Sequence, residues 1–237
     1  DPLSTKRHGK KVSPFYIENS EKYLFIIFKN GDLYKIELES LFGNTKNHQF
    51  KYIKNNLPEF INVKDILIDN NIIYVSLADS TSNCQSMRVL EANLLNDTLN
   101  FTEFFSLKNF QHCEDKKNEN VKFKKGFYNG GRIEIFFFDD RKKMILAAEF
   151  ADDDLLPELF LKRNKKSFVD DTVKHLMIDF ETKKIDIYAS GHRNPQGLVV
   201  TKNEKILTTD HGVRGGDEIN KVEYKQHYGW PIASYGE

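Results

Sequence analysis

Tyr23-Leu24-Phe25-Ile26-Ile27-Phe28-Lys29-Asn30-Gly31-Asp32-Leu33-Tyr34-Lys35-Ile36-Glu37 sets two short apolar runs around an Asn-Gly step. Asn-Gly tolerates the positive φ angles of a two-residue hairpin turn, so the stretch reads as two antiparallel strands. The arms are rich in aromatic and β-branched residues, which suit a pleated surface. The same punctuation recurs in both directions. Phe15-Tyr16-Ile17 precedes the hairpin, its second arm is expected to run from Asp32 to Leu41, and Phe50 to Ile53 follows. A second group holds Asp65 to Ile68, Ile72 to Ala78 after an Asn70-Asn71 turn, Met87 to Ala92, and Asn100 to Phe105. A third holds Arg132 to Phe138, Met144 to Phe150, Val173 to Phe180, and Lys184 to Tyr188; a fourth begins with Gly197 to Thr201, Lys205 to Thr209, and Glu218 to Tyr224.

Strands in groups of four predict an all-β chain of four-stranded blades. The second strands begin near Tyr23, Ile72, Met144 and Lys205, an uneven repeat of about 50 to 70 residues that fits propeller blades with variable loops. A lone four-stranded sheet leaves both apolar faces in water, and radial stacking removes that exposure. The expected organisation is a polar lead-in over residues 1–13 and then a partial β-propeller over 14–237. It comprises about three and a half blades, near 14–57, 62–107, 131–189 and, incomplete, 197–237. A self-contained β-sandwich with a tail is the alternative. The opening lacks a start methionine or signal peptide and the last residues stop in mid-loop, so the chain reads as cut from a longer one. Its open ends are expected to expose apolar surface that an oligomer would cover.

Composition narrows the partners. Lys plus Arg and Asp plus Glu number 35 each, so no global field draws nucleic acid or an anionic membrane. The longest apolar run, Tyr23 to Phe28, is far below the roughly 18 residues of a membrane-spanning helix. Glu114 to Lys125 and Asp152 to Lys166 read as solvated loops; the Asp152-Asp153-Asp154 triplet lacks the spaced ligands of a calcium loop. Asn96-Asp97-Thr98 and Asn100-Phe101-Thr102 match the glycosylation pattern, which arises by chance in an Asn-rich chain. The two cysteines, Cys84 and Cys113, are compatible with a disulfide across the second blade or with two unrelated thiols. There is no Cys-x-x-Cys pair, no Gly-x-Ser-x-Gly elbow and no Gly-x-Gly-x-x-Gly fingerprint.

Three segments carry chemistry: Gly191-His192-Arg193-Asn194-Pro195-Gln196-Gly197-Leu198, Asp210-His211-Gly212-Val213-Arg214-Gly215-Gly216-Asp217-Glu218-Ile219-Asn220, and Tyr228-Gly229-Trp230-Pro231. A guanidinium and an amide at Arg193 and Asn194 suit carboxylates and carbonyl oxygens. The Gly212 to Gly216 run can turn backbone carbonyls toward a cation, with Asp217 and Glu218 as hard oxygen donors. These residues equally suit structural roles: ion pairs across the loops, glycines serving turns, and Trp230 packing between blades.

In this order and spacing the segments resemble the signature of the glucose/sorbosone dehydrogenase family, the soluble pyrroloquinoline-quinone (PQQ) sugar dehydrogenases, over Gly191 to Glu237. Tyr128-Asn129-Gly130-Gly131-Arg132-Ile133 is similar, more weakly, to the family's segment at the start of a blade. The resemblance implies a six-bladed propeller with PQQ over its axis, a calcium ion on backbone carbonyls of a Gly-Pro step, and a His that takes the proton as hydride leaves the sugar. It assigns Arg193 and Asn194 to the quinone and Gly212 to calcium, with Val213 in place of the usual Pro. Tyr128 stands where the catalytic His is expected, and a phenol of pKa near 10 is a poor base at neutral pH. His112 or His211 would substitute only if the fold brought it to the axis. The expectation is therefore a sugar (aldose) dehydrogenase-like protein of altered or lost activity, in the periplasm or secreted. The alternative is a non-enzymatic propeller binding a saccharide or protein.

Overall fold

The computed structural model describes residues 14–42, 48–58, 61–81, 84–107, 112–113, 130–148, 174–212, 215–230 and 233. The lead-in, the two solvated loops, the Asp152 triplet, Tyr128 and Val213 lie outside the described residues. The first sheet contains β1 (Phe15–Asn19), β2 (Tyr23–Phe28), β3 (Leu33–Glu37) and β4 (Lys51–Ile53), with α1 (Leu38–Phe42) between the last two. The second contains β5 (Ile61–Asp69), β6 (Ile72–Thr81), β7 (Cys84–Asn93) and β8 (Thr102–Ser106), with β9 (His112–Cys113) added along β7. The third has β10 (Gly130–Phe138), β11 (Arg141–Ala148), β12 (Lys174–Asp179) and β13 (Ile185–Ser190); the fourth has β14 (Pro195–Val200), β15 (Ile206–Asp210) and β16 (Glu218–Val222). After β16 the chain returns to the third sheet, where β17 (Gln226–His227) pairs with β13 in parallel. All other named pairings are antiparallel between chain neighbours, apart from the β7–β9 pair, and the four sheets form part of a propeller.

Several strand bounds depart from the sequence expectation: β5, β7 and β11 begin at Ile61, Cys84 and Arg141, ahead of the expected Asp65, Met87 and Met144. The arm expected to reach Leu41 stops at Glu37, because Leu38 to Phe42 close a helical turn. The strand expected to reach Tyr224 ends at Val222, and Tyr224 instead donates its hydroxyl to Asp186 of β13 at 2.6 Å.

Alternation along the middle strands explains why the sheets stack. On β6, Ile73, Val75 and Leu77 join Phe25, Ile27 and Leu33 of the first sheet, while Tyr74 and Ala78 point the other way with Met87 and Val89. On β11, Met144 and Leu146 face the second sheet, and Ile145 and Ala147 pack with Leu198, Ile206 and Val222 of the fourth. Both faces of these strands are buried, so their sequences read as unbroken apolar runs. Each fully buried Ile or Leu is worth roughly 1.5–3 kcal/mol over its exposed state. Among the described residues, the first and fourth sheets have a neighbouring sheet on one side only and carry exposed apolar residues, among them Ile17 at 57% and Ile219 at 79%.

The inner strands β1, β5, β10 and β14 lie side by side in that order. At the start of β10 two glycines take positive φ angles, 75° at Gly130 and 102° at Gly131. A Cβ on Gly131 would stand 2.5 Å from the Lys64 Cβ, and one on Gly130 would stand 3.1 Å from the Pro195 carbonyl oxygen. The Ser76 hydroxyl donates to the Gly131 carbonyl. Beside this crossing, the buried Asp65 accepts from the Ile133 amide at 2.9 Å and from Arg132 Nη1 at 2.8 Å. Burial outweighs these partners and raises the Asp65 pKa to about 6; burial, with Asp65 and Glu18 nearby, raises Glu134 to about 7.

Third and fourth sheets also meet through histidines. His175 on β12 lies opposite Ala147 and Ala189, whose small side chains leave room for a ring, and it is fully buried. Its ring contacts His192 edge-on at 4.5 Å, and His192, also fully buried, stacks on Tyr228 at 4.5 Å and 21°. Neither nitrogen of His175 has a hydrogen-bond partner among the described residues. Burial, then the neighbouring His192, pushes its pKa well below the usual value.

A buried neutral imidazole contributes stability that is present above its unfolded pKa of about 6.5 and is lost as pH falls toward the lower folded value. Asp65 and Glu134 act with the opposite sign, since a raised carboxyl pKa favours the fold most below about pH 4 and least above the folded value. Comparison of His175→Leu with the parent cancels those carboxylates. Urea unfolding at pH 7, 6 and 5 is expected to show the parent losing up to about 1.4 kcal/mol per pH unit relative to the variant below about pH 6.5. Parallel pH dependences would mean that His175 is not held neutral.

Candidate functional site

The site is built on the turn from β13 to β14. Gly191 takes a φ of 79°, and a Cβ there would stand 2.6 Å from the His227 ring. That close approach lets the returning segment dock: the Tyr228 amide donates to the Ser190 carbonyl at 2.9 Å and the Trp230 amide to the Gly191 carbonyl at 2.8 Å. Asp210, at the end of β15, anchors the other side. Its buried carboxylate accepts from the Arg193 amide at 2.9 Å and the Asn194 amide at 2.5 Å, and lies 3.3 Å from His192 Nδ1. A carboxylate receiving two backbone N–H bonds fixes the direction in which both side chains leave the loop. The His211 amide donates to the Asn194 carbonyl at 3.1 Å, which joins the two loops.

Arg193 reaches across the resulting cleft. Its Nη1 donates to the carbonyls of His211 at 3.1 Å and Gly212 at 3.0 Å, and its guanidinium lies 5.5 Å from the centre of the Trp230 ring. The Asn194 side-chain oxygen accepts from Gln196. Beyond Arg193, the Gly212 amide donates to Asp217 Oδ1 at 2.9 Å. That bond, followed by His211 and Arg193, holds the Asp217 carboxyl below its usual pKa against some desolvation. The cleft, lined by Arg193, His211, Gly212 and Trp230 among others, is shallow and open to solvent, with about 20 Å³ of room inside it.

The structure thus brings together Arg193, Asn194 and Gly212 of the residues singled out in the sequence. It also sets His211, 57% exposed on its side chain, in the cleft wall with Nδ1 3.5 Å from Asp217. Of His112 only the backbone is described, in β9 of the second sheet. The sequence reading gave no role to Asp210, His192 or His175; a carboxylate closing an apolar strand just before the Gly-rich loop was the available signal for Asp210.

The donors fit an anionic, carbonyl-bearing quinone, since Arg193 and Asn194 supply N–H groups beside an aromatic ring. Calcium fits less well. It takes six to eight oxygens, and among the described residues no group of three or more acidic or imidazole side chains is placed to hold a metal. The Gly212 carbonyl is bound by a guanidinium, and a dication about 5 Å from that charge would meet roughly 2 kcal/mol of repulsion in water and about 7 at an effective dielectric of 20.

Comparison with known proteins finds likenesses in sequence and in fold. The Glucose / Sorbosone dehydrogenase family model matches residues 174–237. The chain is 50% identical over 50 residues to quinoprotein glucose dehydrogenase B of Acinetobacter calcoaceticus, a stretch that is 21% of this chain and 10% of that protein. Its fold is similar to a glucose dehydrogenase structure with a TM-score of 0.63 at 20% identity, over 94% of this chain and 65% of that one. It is also similar to the PQQ-bound aldose sugar dehydrogenase of Streptomyces coelicolor, with a TM-score of 0.59 at 17% identity, over 94% of this chain and 64% of that one. The chain spans just under two thirds of these two structures. It resembles the glucose/sorbosone dehydrogenase family, in sequence over its C-terminal quarter and in its all-β propeller fold along nearly its whole length.

Proposed function

We propose that the Arg193–Asn194 loop is the cofactor side of a PQQ-dependent sugar dehydrogenase site whose activity is weakened or lost. The observation that carries the reading is Asp210 on the amides of Arg193 and Asn194, which presents a guanidinium and a carboxamide side by side at a cleft faced by Trp230. Bound PQQ supplies the two-electron acceptor for hydride from an aldose. The chain's own part is to bind and orient. Arg193 offers a positive charge to an anionic oxygen, Asn194 an amide donor, and Trp230 an aromatic face. Tyr128 at the position of the expected base supports loss of turnover, and favours as a second reading a propeller that binds a saccharide or protein without oxidising it. The calcium expected at Gly212 and Val213 forms no part of this reading.

A second inference concerns the cysteines. Cys84 of β7 lies directly opposite Cys113 of β9 in the backbone register. Facing residues of an antiparallel pair have Cα atoms about 4.5–5.5 Å apart, within the span of a disulfide. We infer that the two are bridged and that the protein works in an oxidising compartment, periplasmic or secreted. Thiol titration under denaturing, non-reducing conditions is expected to find no reactive thiol; two per chain would refute the bridge and remove its support for the compartment.

Trp230 is the chain's one tryptophan, so its fluorescence reports on the cleft. Titrated PQQ is expected to quench it saturably in the parent and not in Arg193→Ala. Dye-coupled oxidation of aldoses, with PQQ and calcium supplied, is expected to be absent or weak, and Tyr128→His to raise it, since a general base is worth about 10²–10⁴ in rate. Unchanged fluorescence would reject the quinone site. Rapid turnover by the parent would show that another residue is the base.

A further inference from the structure

We propose that the Arg193 guanidinium is the resident cation of the 211–217 loop, which therefore folds without calcium. A cation on a Gly-rich loop neutralises backbone carbonyls that would otherwise crowd together, and here two carbonyls already converge on one charge. Arg193 Nη1 is 3.1 Å from the His211 oxygen and 3.0 Å from the Gly212 oxygen. The position of that charge is set from three sides. Asp210 holds the Arg193 amide at 2.9 Å, Trp230 lies 5.5 Å from the guanidinium carbon, and the Trp230 amide is tied to Gly191 at 2.8 Å.

The loop is also closed upon itself. A Cβ on Gly212 would stand 1.9 Å from the Gly215 carbonyl oxygen, so that oxygen lies almost against the Gly212 backbone. The Asp217 carboxylate accepts from the Gly212 amide at 2.9 Å and lies 3.5 Å from His211 Nδ1. One carboxylate oxygen is thus already engaged within the loop. In the sequence a further basic residue, Arg214, stands between Gly212 and Gly215. Calcium, which takes six to eight oxygens and is repelled by an adjacent cation, would have to displace Arg193 from these carbonyls. The inference concerns the loops of the proposed quinone site but rests on their geometry alone, so it stands or falls independently of quinone binding.

Trypsin provides the test, because Arg214 places a cleavage site inside the loop. Cleavage after Arg214, followed by mass spectrometry on the folded chain, is expected at the same rate in EDTA and in millimolar calcium. The thermal unfolding midpoint is expected to be equally indifferent. Arg193→Ala removes two charge-assisted hydrogen bonds and is expected to speed cleavage about tenfold or more, in either medium, through local opening. A strand-face change, Lys221→Ala, is the control for general destabilisation and is expected to leave the rate alone. Saturable protection of Arg214 by calcium in the parent, or a calcium-dependent rise of its midpoint, would overturn the proposal. So would an Arg193→Ala loop cleaved no faster than the parent's.

Discussion

Three inner strands meet where Gly130 and Gly131 let β10 pass between β5 and β14, and the placement of the sheets depends on that crossing. With φ angles of 75° and 102°, both positions lie where a side chain costs of order 1–3 kcal/mol even in free space. Here there is no free space, because the Lys64 stem and the Pro195 carbonyl fill the room a Cβ needs. The closeness brings the Gly131 carbonyl to the Ser76 hydroxyl and the Ile133 amide to Asp65. Backbone groups that face a seam are thereby satisfied without water.

With the inner strands fixed, the outer parts of the sheets follow from alternation. β6 and β11 each send one set of side chains forward and the other back, so every interior sheet belongs to two apolar layers. The same register carries the site. The β13–β14 turn leaves the third sheet beside the end of β15, which puts Arg193 and Asn194 against Asp210, and the returning β17 brings Tyr228 and Trp230 over them. The candidate site lies where two sheets end together, and the buried His175–His192 contact is the packing beneath it.

The hairpins were legible because Asn30-Gly31 and Asn70-Asn71 are turn residues between apolar runs, and the resemblance at Arg193, Asn194 and Gly212 was legible because those residues are near in sequence. What was not legible depends on distant partners. The helical turn that ends β3 at Glu37 carries no Gly, Pro, Asn or Asp to mark it in the sequence, and nothing in Gln226-His227 announces that the chain rejoins β13 instead of extending the fourth sheet. Asp210 and Arg193 become one unit only when β14 and β15 pair. Likewise the Gly212 carbonyl reads as a free ligand until Arg193 is found on it. His175 sits in a strand whose flanking alanines belong to other strands, so its burial is a property of the sheet.

The crossing of the inner strands is tested most directly by a double-mutant cycle between Gly131 and Lys64, read by urea unfolding. Gly131→Ala alone is expected to cost about 2–4 kcal/mol, from positive-φ strain plus the collision with Lys64. In a Lys64→Gly background the collision is gone and only the strain remains, so the cost is expected to fall by at least about 0.5–1 kcal/mol. Equal costs in the two backgrounds would mean that these residues do not touch, and would contradict the packing of the third sheet against the second described above.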